Sequence, residues 1–190
     1  MPNYCYYQMK VVGAKEKVDE FIKVMDSHYD YGANEFEFDR HMGGRVFEVN
    51  VDEFEEIDNN VYAAIISGDC AWSVVCCMFS GTLTYYNDLK SRFPETCRST
   101  TVPIESKNLD LDIEIFSEEC GMGFQEHYLV RKGVVEIEDC VDYYEYYVEE
   151  CETKEEAEEE FDTEITDEEW ARGCNEGSFY RGGLEWNFQI

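Results

Sequence analysis

Leu109-Asp110-Leu111-Asp112-Ile113-Glu114-Ile115 alternates apolar and acidic side chains without a break. A period of two is the mark of a strand, because successive side chains point to opposite faces of a sheet. The aliphatic residues are therefore expected to face a core. Asp110, Asp112 and Glu114 are expected to line the outer face, about 6.6 Å apart at a rise of roughly 3.3 Å per residue. Phe124 to Val130 and Val134 to Ile137 follow, joined by Arg131-Lys132-Gly133. The three runs read as an antiparallel meander.

Toward the N-terminus, Tyr4 to Val12 is rich in aromatic and β-branched residues and reads as a strand closed by Gly13. From Lys15, Val18, Phe21, Ile22 and Met25 recur at helical spacing, which predicts an amphipathic helix. Glu35 to Phe38 and Val46 to Val51 alternate and suggest a hairpin. Glu53 to Asn60 is acidic and reads as a loop or short helix. Val61 to Ile66 and Ala71 to Phe79 read as two strands turning at Ser67-Gly68-Asp69-Cys70. Short helices are expected over Thr84 to Phe93, ended by Pro94, and from Thr101 to Asn108, opened by Pro103.

Toward the C-terminus the composition shifts. Residues 134–170 hold 18 Asp and Glu and one base, Lys154, a net charge of −17, whereas the other 153 residues carry −12. Lys154 to Phe161 is nearly all Glu and helix-compatible. Thr166-Asp167-Glu168-Glu169 has the spacing of a capping box, which would open a helix carrying Trp170. After Gly182-Gly183, the run Leu184 to Ile190 alternates and reads as a closing strand. The expected fold is thus a single α+β domain over residues 1–190. It combines an antiparallel sheet, short helices on one face, and an acidic insertion at 140–170 before the last strand.

The whole chain of 190 residues carries 44 Asp and Glu against 15 Lys and Arg, a net charge of −29. Such a charge argues against direct binding to nucleic acid and to anionic membranes. Apolar residues make up 44%, enough for a core and against wholesale disorder. The apolar run from Val61 to Phe79 is interrupted by Ser67, Gly68 and Asp69, so it falls short of the roughly 20 residues of a membrane span. Met1-Pro2-Asn3-Tyr4-Cys5 has neither a basic nor an apolar leader region, and the chain reads as cytoplasmic.

Nine cysteines (Cys5, Cys70, Cys76, Cys77, Cys97, Cys120, Cys140, Cys151 and Cys174) show no C-x-x-C spacing. They read as reduced, packed thiols, and no zinc site is expected. His28, His41 and His127 lack metal-ligand spacing, and no P-loop, G-x-S-x-G or G-x-G-x-x-G motif occurs. Asp39 with His41 is the one acid–base pair to consider, and a loop salt link accounts for it as well. Asp52 to Asn60 and Asp162 to Glu169 lack the glycine of an EF-hand loop. No cofactor, no metal and no catalysis are expected.

Met1-Pro2-Asn3-Tyr4-Cys5, followed by a strand ending in Val11-Val12-Gly13 and then a helix, resembles the Api92-like, or YubB-type, family of phages, plasmids and gut bacteria. Tyr4 stands where family members have Trp, and Tyr7 where they have Asn. Ser117-Glu118-Glu119 with Gly121-Met122-Gly123-Phe124 is similar to a strand-loop-strand segment of related mobile-element proteins. The resemblance covers about 25 residues at the N-terminus. It implies a ferredoxin-like fold, a mobile-element origin and hence a bacterial host cytoplasm. It brings no catalytic residues.

Two uses of the acid compete. One is a solvated surface that keeps an accessory protein-interaction module in solution. The other is mimicry of nucleic acid, whose duplex carries about one negative charge per 1.7 Å of axis. The mobile-element resemblance favours mimicry directed at a protein with a basic nucleic-acid-binding groove, such as a CRISPR or restriction effector. The expected contact residues are Glu145, Glu149, Glu150, Glu152, Glu155, Glu156, Glu158, Glu159, Glu160 and Asp162. Tyr143, Tyr144, Tyr146 and Tyr147 are expected to join them, with Asp110, Asp112 and Glu114 on the meander. Tyrosine suits such a surface because an apolar ring carries a polar tip.

Overall fold

The computed structural model describes residues 3–27, 29–30, 35–36, 40–42, 46–80, 100–148 and 151–190. Along the chain lie β1 (Tyr4–Ala14), α1 (Lys15–Met25), β2 (Tyr29–Asp30), β3 (Glu35–Phe36), β4 (Arg40–His41), β5 (Asn50–Asp58) and β6 (Val61–Ala71). Then come α2 (Val74–Met78), β7 (Thr100–Thr101), β8 (Asp112–Glu119), β9 (Phe124–Arg131) and β10 (Val134–Tyr147). Helices α3 (Lys154–Glu160) and α4 (Asp167–Glu176) and strand β11 (Ser178–Gly182) complete the order. Seven strands form one antiparallel sheet in the order β11-β10-β9-β8-β1-β6-β5, which with four helices among the described residues makes an α+β fold.

Strand β1 shows why the sheet has a helix-bearing face. Cys5, Tyr7, Met9 and Val11 are fully buried, while the alternate residues turn the other way. Ile113 and Ile115 on β8 and Ile66 on β6 join them in one apolar cluster. Helix α1 seals it with Val18, Phe21, Val24 and Met25; Val24 takes the inward position, and Ile22 is only half-buried. Helix α2 adds Val74, Cys77 and Met78. Glu126 of β9 is also buried here, accepting hydrogen bonds from Val74 N (3.0 Å) and Ser117 Oγ (2.8 Å).

Several expectations are corrected. The acidic run from Glu53 is neither loop nor helix; it lies within β5, an edge strand paired with β6. The hairpin turns at Asn59-Asn60, not at Gly68, and Asn60 takes the left-handed conformation (φ 57°) that Asn tolerates. Gly68 lies inside β6 because the chain crosses over it: a Cβ there would approach the Glu48 carbonyl oxygen to 1.8 Å. The second half of the apolar run is helix α2, because the Ser73 hydroxyl caps it by accepting from Cys76 N at 3.1 Å.

No helix follows Thr101. Two turns form instead, with Ser106 N donating to Pro103 O and Leu109 N to Ser106 O, both at 3.0 Å. Glu35-Phe36 pairs with Tyr29-Asp30 and not with the Val46 run, where Val46 bridges Cys70. Leu184–Ile190 forms no strand; it crosses the face of the sheet opposite the helices. The expected helix from Thr84 to Phe93 lies outside the described residues. No helix among the described residues is long and apolar enough to cross a membrane.

Candidate acidic interaction surface

The acidic stretch is folded. The upper half of β10 pairs with β11, from Tyr143 opposite Gly182 to Tyr147 opposite Ser178. Helices α3 and α4 fill the connection. Val148, Ala157, Ile165 and Phe179 are buried among Tyr146, Phe161 and Trp170, an apolar cluster separate from the main core. Both helices start on threonine. Thr153 accepts from Glu156 N, and Thr166 accepts from Glu169 N, each at 3.2 Å. The Glu169 carboxylate in turn accepts from Thr166 N at 2.8 Å, completing the capping box.

Arg181 on β11 ties this unit together. Its Nε and Nη2 donate to the two Glu169 carboxylate oxygens at 2.8 and 2.9 Å, and its Nη1 donates to Thr163 Oγ1 at 2.7 Å. A further bond reaches the Glu164 carbonyl. The guanidinium also lies over the Tyr146 and Phe179 rings. The Arg181 hydrogen bonds hold the Glu169 carboxyl far below its ordinary range, to about 2, against the opposing effect of its burial. Glu169 is legible as part of the capping box, but its pairing with Arg181 escapes the sequence reading, since nothing in their spacing announces that they meet.

The acids divide into two sets. Glu156 accepts from Glu152 N (2.8 Å), Glu158 from Ile165 N (2.9 Å), and Glu160 from the Cys151 thiol (3.4 Å). Lys154 pairs with Asp167 at 2.8 Å. Glu152, Glu155, Glu159 and Asp162 are exposed, and no base among the described residues pairs with them. With Ala157 turned inward, Glu155 and Glu159, four residues apart, share the outward side of α3. Glu149 and Glu150 lie outside the described residues.

The tyrosines also separate. Tyr143 is buried, and Tyr146 packs on Phe179 (centroids 5.0 Å apart), so neither offers a free ring. Tyr144 and Tyr147 are 58% and 63% exposed. The Tyr147 hydroxyl donates to Glu145 at 2.5 Å, and the Ser178 and Tyr180 hydroxyls both donate to Glu145 at 2.7 Å. Burial raises the Glu145 pKa, but the three hydroxyls outweigh it and leave the carboxyl below its ordinary value.

The expected ladder of Asp110, Asp112 and Glu114 does not exist as an outer acidic face. Asp110 precedes β8 in a left-handed conformation (φ 52°) and is 3.7 Å from Lys132. Asp112 pairs with Arg131 at 3.3 Å. Glu114 is 0% exposed, and its Oε1 lies 2.9 Å from His127 Nε2. The Leu184–Ile190 segment covers it, which local alternation cannot foresee. His127 therefore faces Glu114 across the sheet, and its neighbour Glu126 points to the other face.

A second acidic strip, read from the sequence as a loop or short helix, lies on an edge strand. Asp52, Glu53, Glu55, Glu56 and Asp58 ride on β5, all nine residues of which are exposed. Five acids within seven residues, preceded by Val51 and interrupted by Phe54 and Ile57, were the available signal. His41 is buried on β4, while Asp39 lies outside the described residues. Cys5 and Cys70 are unoxidised thiols directly opposite each other on β1 and β6. Among the described residues no three His, Cys, Asp or Glu side chains are grouped to hold a metal ion. Compared with family models, curated proteins and solved structures, the chain matches none.

Proposed function

We propose that the chain is a non-catalytic binding protein that offers an acidic face to a partner with a basic nucleic-acid-binding groove, inhibiting a CRISPR or restriction effector by mimicry. The observation that carries this reading is the sorting of acids around α3. Glu156, Glu158 and Glu169 hold the unit together, which leaves Glu152, Glu155, Glu159 and Asp162 outward on a folded scaffold, with no pairing base among the described residues. A solubilising tail needs no such scaffold. Preorganised carboxylates attract arginine and lysine over long range and pair with them at contact.

The strand order β8-β1-β6-β5, with α1 after β1 and α2 after β6, is that of a β-α-β-β-α-β unit, which supports a ferredoxin-like reading. In that reading β9, β10 and β11 extend the sheet to carry the acidic unit. A mobile-element origin and a bacterial cytoplasm go with it.

The test is capture of a purified CRISPR or restriction effector by the immobilised chain, with duplex DNA or RNA as competitor. Affinity should fall about tenfold or more between 50 and 200 mM salt, and nucleic acid should displace the chain. Glu152→Lys with Glu155→Lys and Glu159→Lys should abolish capture while sparing the acids that hold the fold. Binding that ignores salt and survives this variant would instead select the accessory-module reading, for which the exposed edge of β5 is the natural surface.

A further inference from the structure

We propose that Leu184–Ile190 is an exchangeable arm, and that the sheet face it covers accepts the same segment from a second copy of this chain. The arm leaves β11 through Gly182 and Gly183, both left-handed (φ 76° and 85°), a conformation that glycine adopts readily. It then runs over β9, β8 and β1 without forming a ladder with any of them.

Discrete contacts hold it instead. Leu184 N donates to Gln125 Oε1 at 2.6 Å. The Trp186 ring stacks with Tyr6 (5.9 Å, 6°) and with Phe116 (5.8 Å, 19°), and Phe188 meets Phe116 edge-on at 5.5 Å. Gln189 N and Ile190 N donate to Glu114 Oε2 at 2.5 and 3.3 Å. The face thus recognises a segment with aromatic side chains two residues apart and two consecutive backbone N–H groups.

Simple release of the arm is unfavourable. It bares Trp186, Phe188 and Phe116 and takes two donors from a buried carboxylate. The arm of a second copy restores every one of these contacts, so exchange is the open state that loses least. The tether keeps the arm's effective concentration in the millimolar range, so the chain is mainly monomeric when dilute and exchanges as its concentration rises. Each copy carries −29, and salt screens their repulsion. Exchange therefore strengthens with salt, opposite in sign to docking in a basic groove, and either proposal can fail without the other.

Sedimentation of the full chain from about 10 μM to about 1 mM, at low and high salt, tests it across the expected effective concentration. Wild type should form dimers at the upper end, more at high salt. Gly183→Pro cannot adopt φ near +85° and should move dimerisation to at least about tenfold lower concentration by straightening the hinge. Trp186→Ala, or Tyr6→Ala should the former not fold, should abolish the dimer. A wild-type chain that stays monomeric throughout overturns the proposal whatever the variants do. A dimer that survives loss of the Trp186–Tyr6 contact overturns it as well, because it would use another surface.

Discussion

Arg181 and Glu169 show how much one pair can organise. Their two parallel hydrogen bonds join β11 to the first turn of α4, and the same carboxylate closes the capping box on Thr166. In an unfolded chain a glutamate takes up its proton near pH 4.3, whereas here the carboxyl stays ionised to about pH 2. Between those values the unfolded chain binds more protons, so the pair's contribution is complete above about pH 4.5 and fades as pH falls toward 2. Glu169→Gln should cost about 1–2 kcal/mol at neutral pH, read as lost hydrogen-exchange protection in α4. It should also flatten the acid-side decline in urea stability. An unchanged slope between pH 4.5 and 2 would show that the pair does not set the acid stability of this unit.

At the scale of elements, β6 and the arm explain what the sequence discloses. Aromatic and β-branched composition revealed β1, and alternation revealed β8, because half-buried strands write their burial into a period of two. It could not reveal that the polar side of β8 is covered too, since Glu114 is buried by residues 75 and 76 positions further on. Strand β5 was hidden by its acids, which disfavour strands in general but are tolerated at an edge where both faces meet water. Gly68 looked like a turn because glycine commonly marks one; here it admits a crossing backbone. The capping box of α4 was legible because its logic is local, within four residues. The sorting of acids around α3 was not, because it depends on where Ile165 N and Glu152 N come to lie. Gly68→Ala tests the reading of β6 directly. A methyl at 1.8 Å from the Glu48 carbonyl oxygen must push two backbone segments apart. Chemical denaturation should show a loss of about 2–4 kcal/mol. A loss under about 0.5 kcal/mol would mean that the crossing yields freely.

At the scale of the whole molecule, the net charge of −29 is itself a physical variable. Repulsion among carboxylates on α3, β5 and the rest of the surface opposes compaction, and it is screened when the Debye length falls from about 30 Å at 0.01 M to about 3 Å at 1 M salt. Raising NaCl from low to near-molar concentration at pH 7 should stabilise the fold by on the order of 1–2 kcal/mol, about 3–6 °C in Tm. The variant combining Glu152→Lys, Glu155→Lys and Glu159→Lys shifts the net charge from −29 to −23. It should therefore melt higher than wild type at low salt and nearly the same at high salt. If these acids served only to keep the chain in solution, the variant would lose solubility and keep its partner. If they form the docking face, the same three changes improve folding and remove binding, and thermal melts paired with effector capture on one preparation read both quantities. A variant that melts lower than wild type at low salt would show that the outward acids of α3 make attractive contacts, and the division between fold-holding and outward carboxylates would fail.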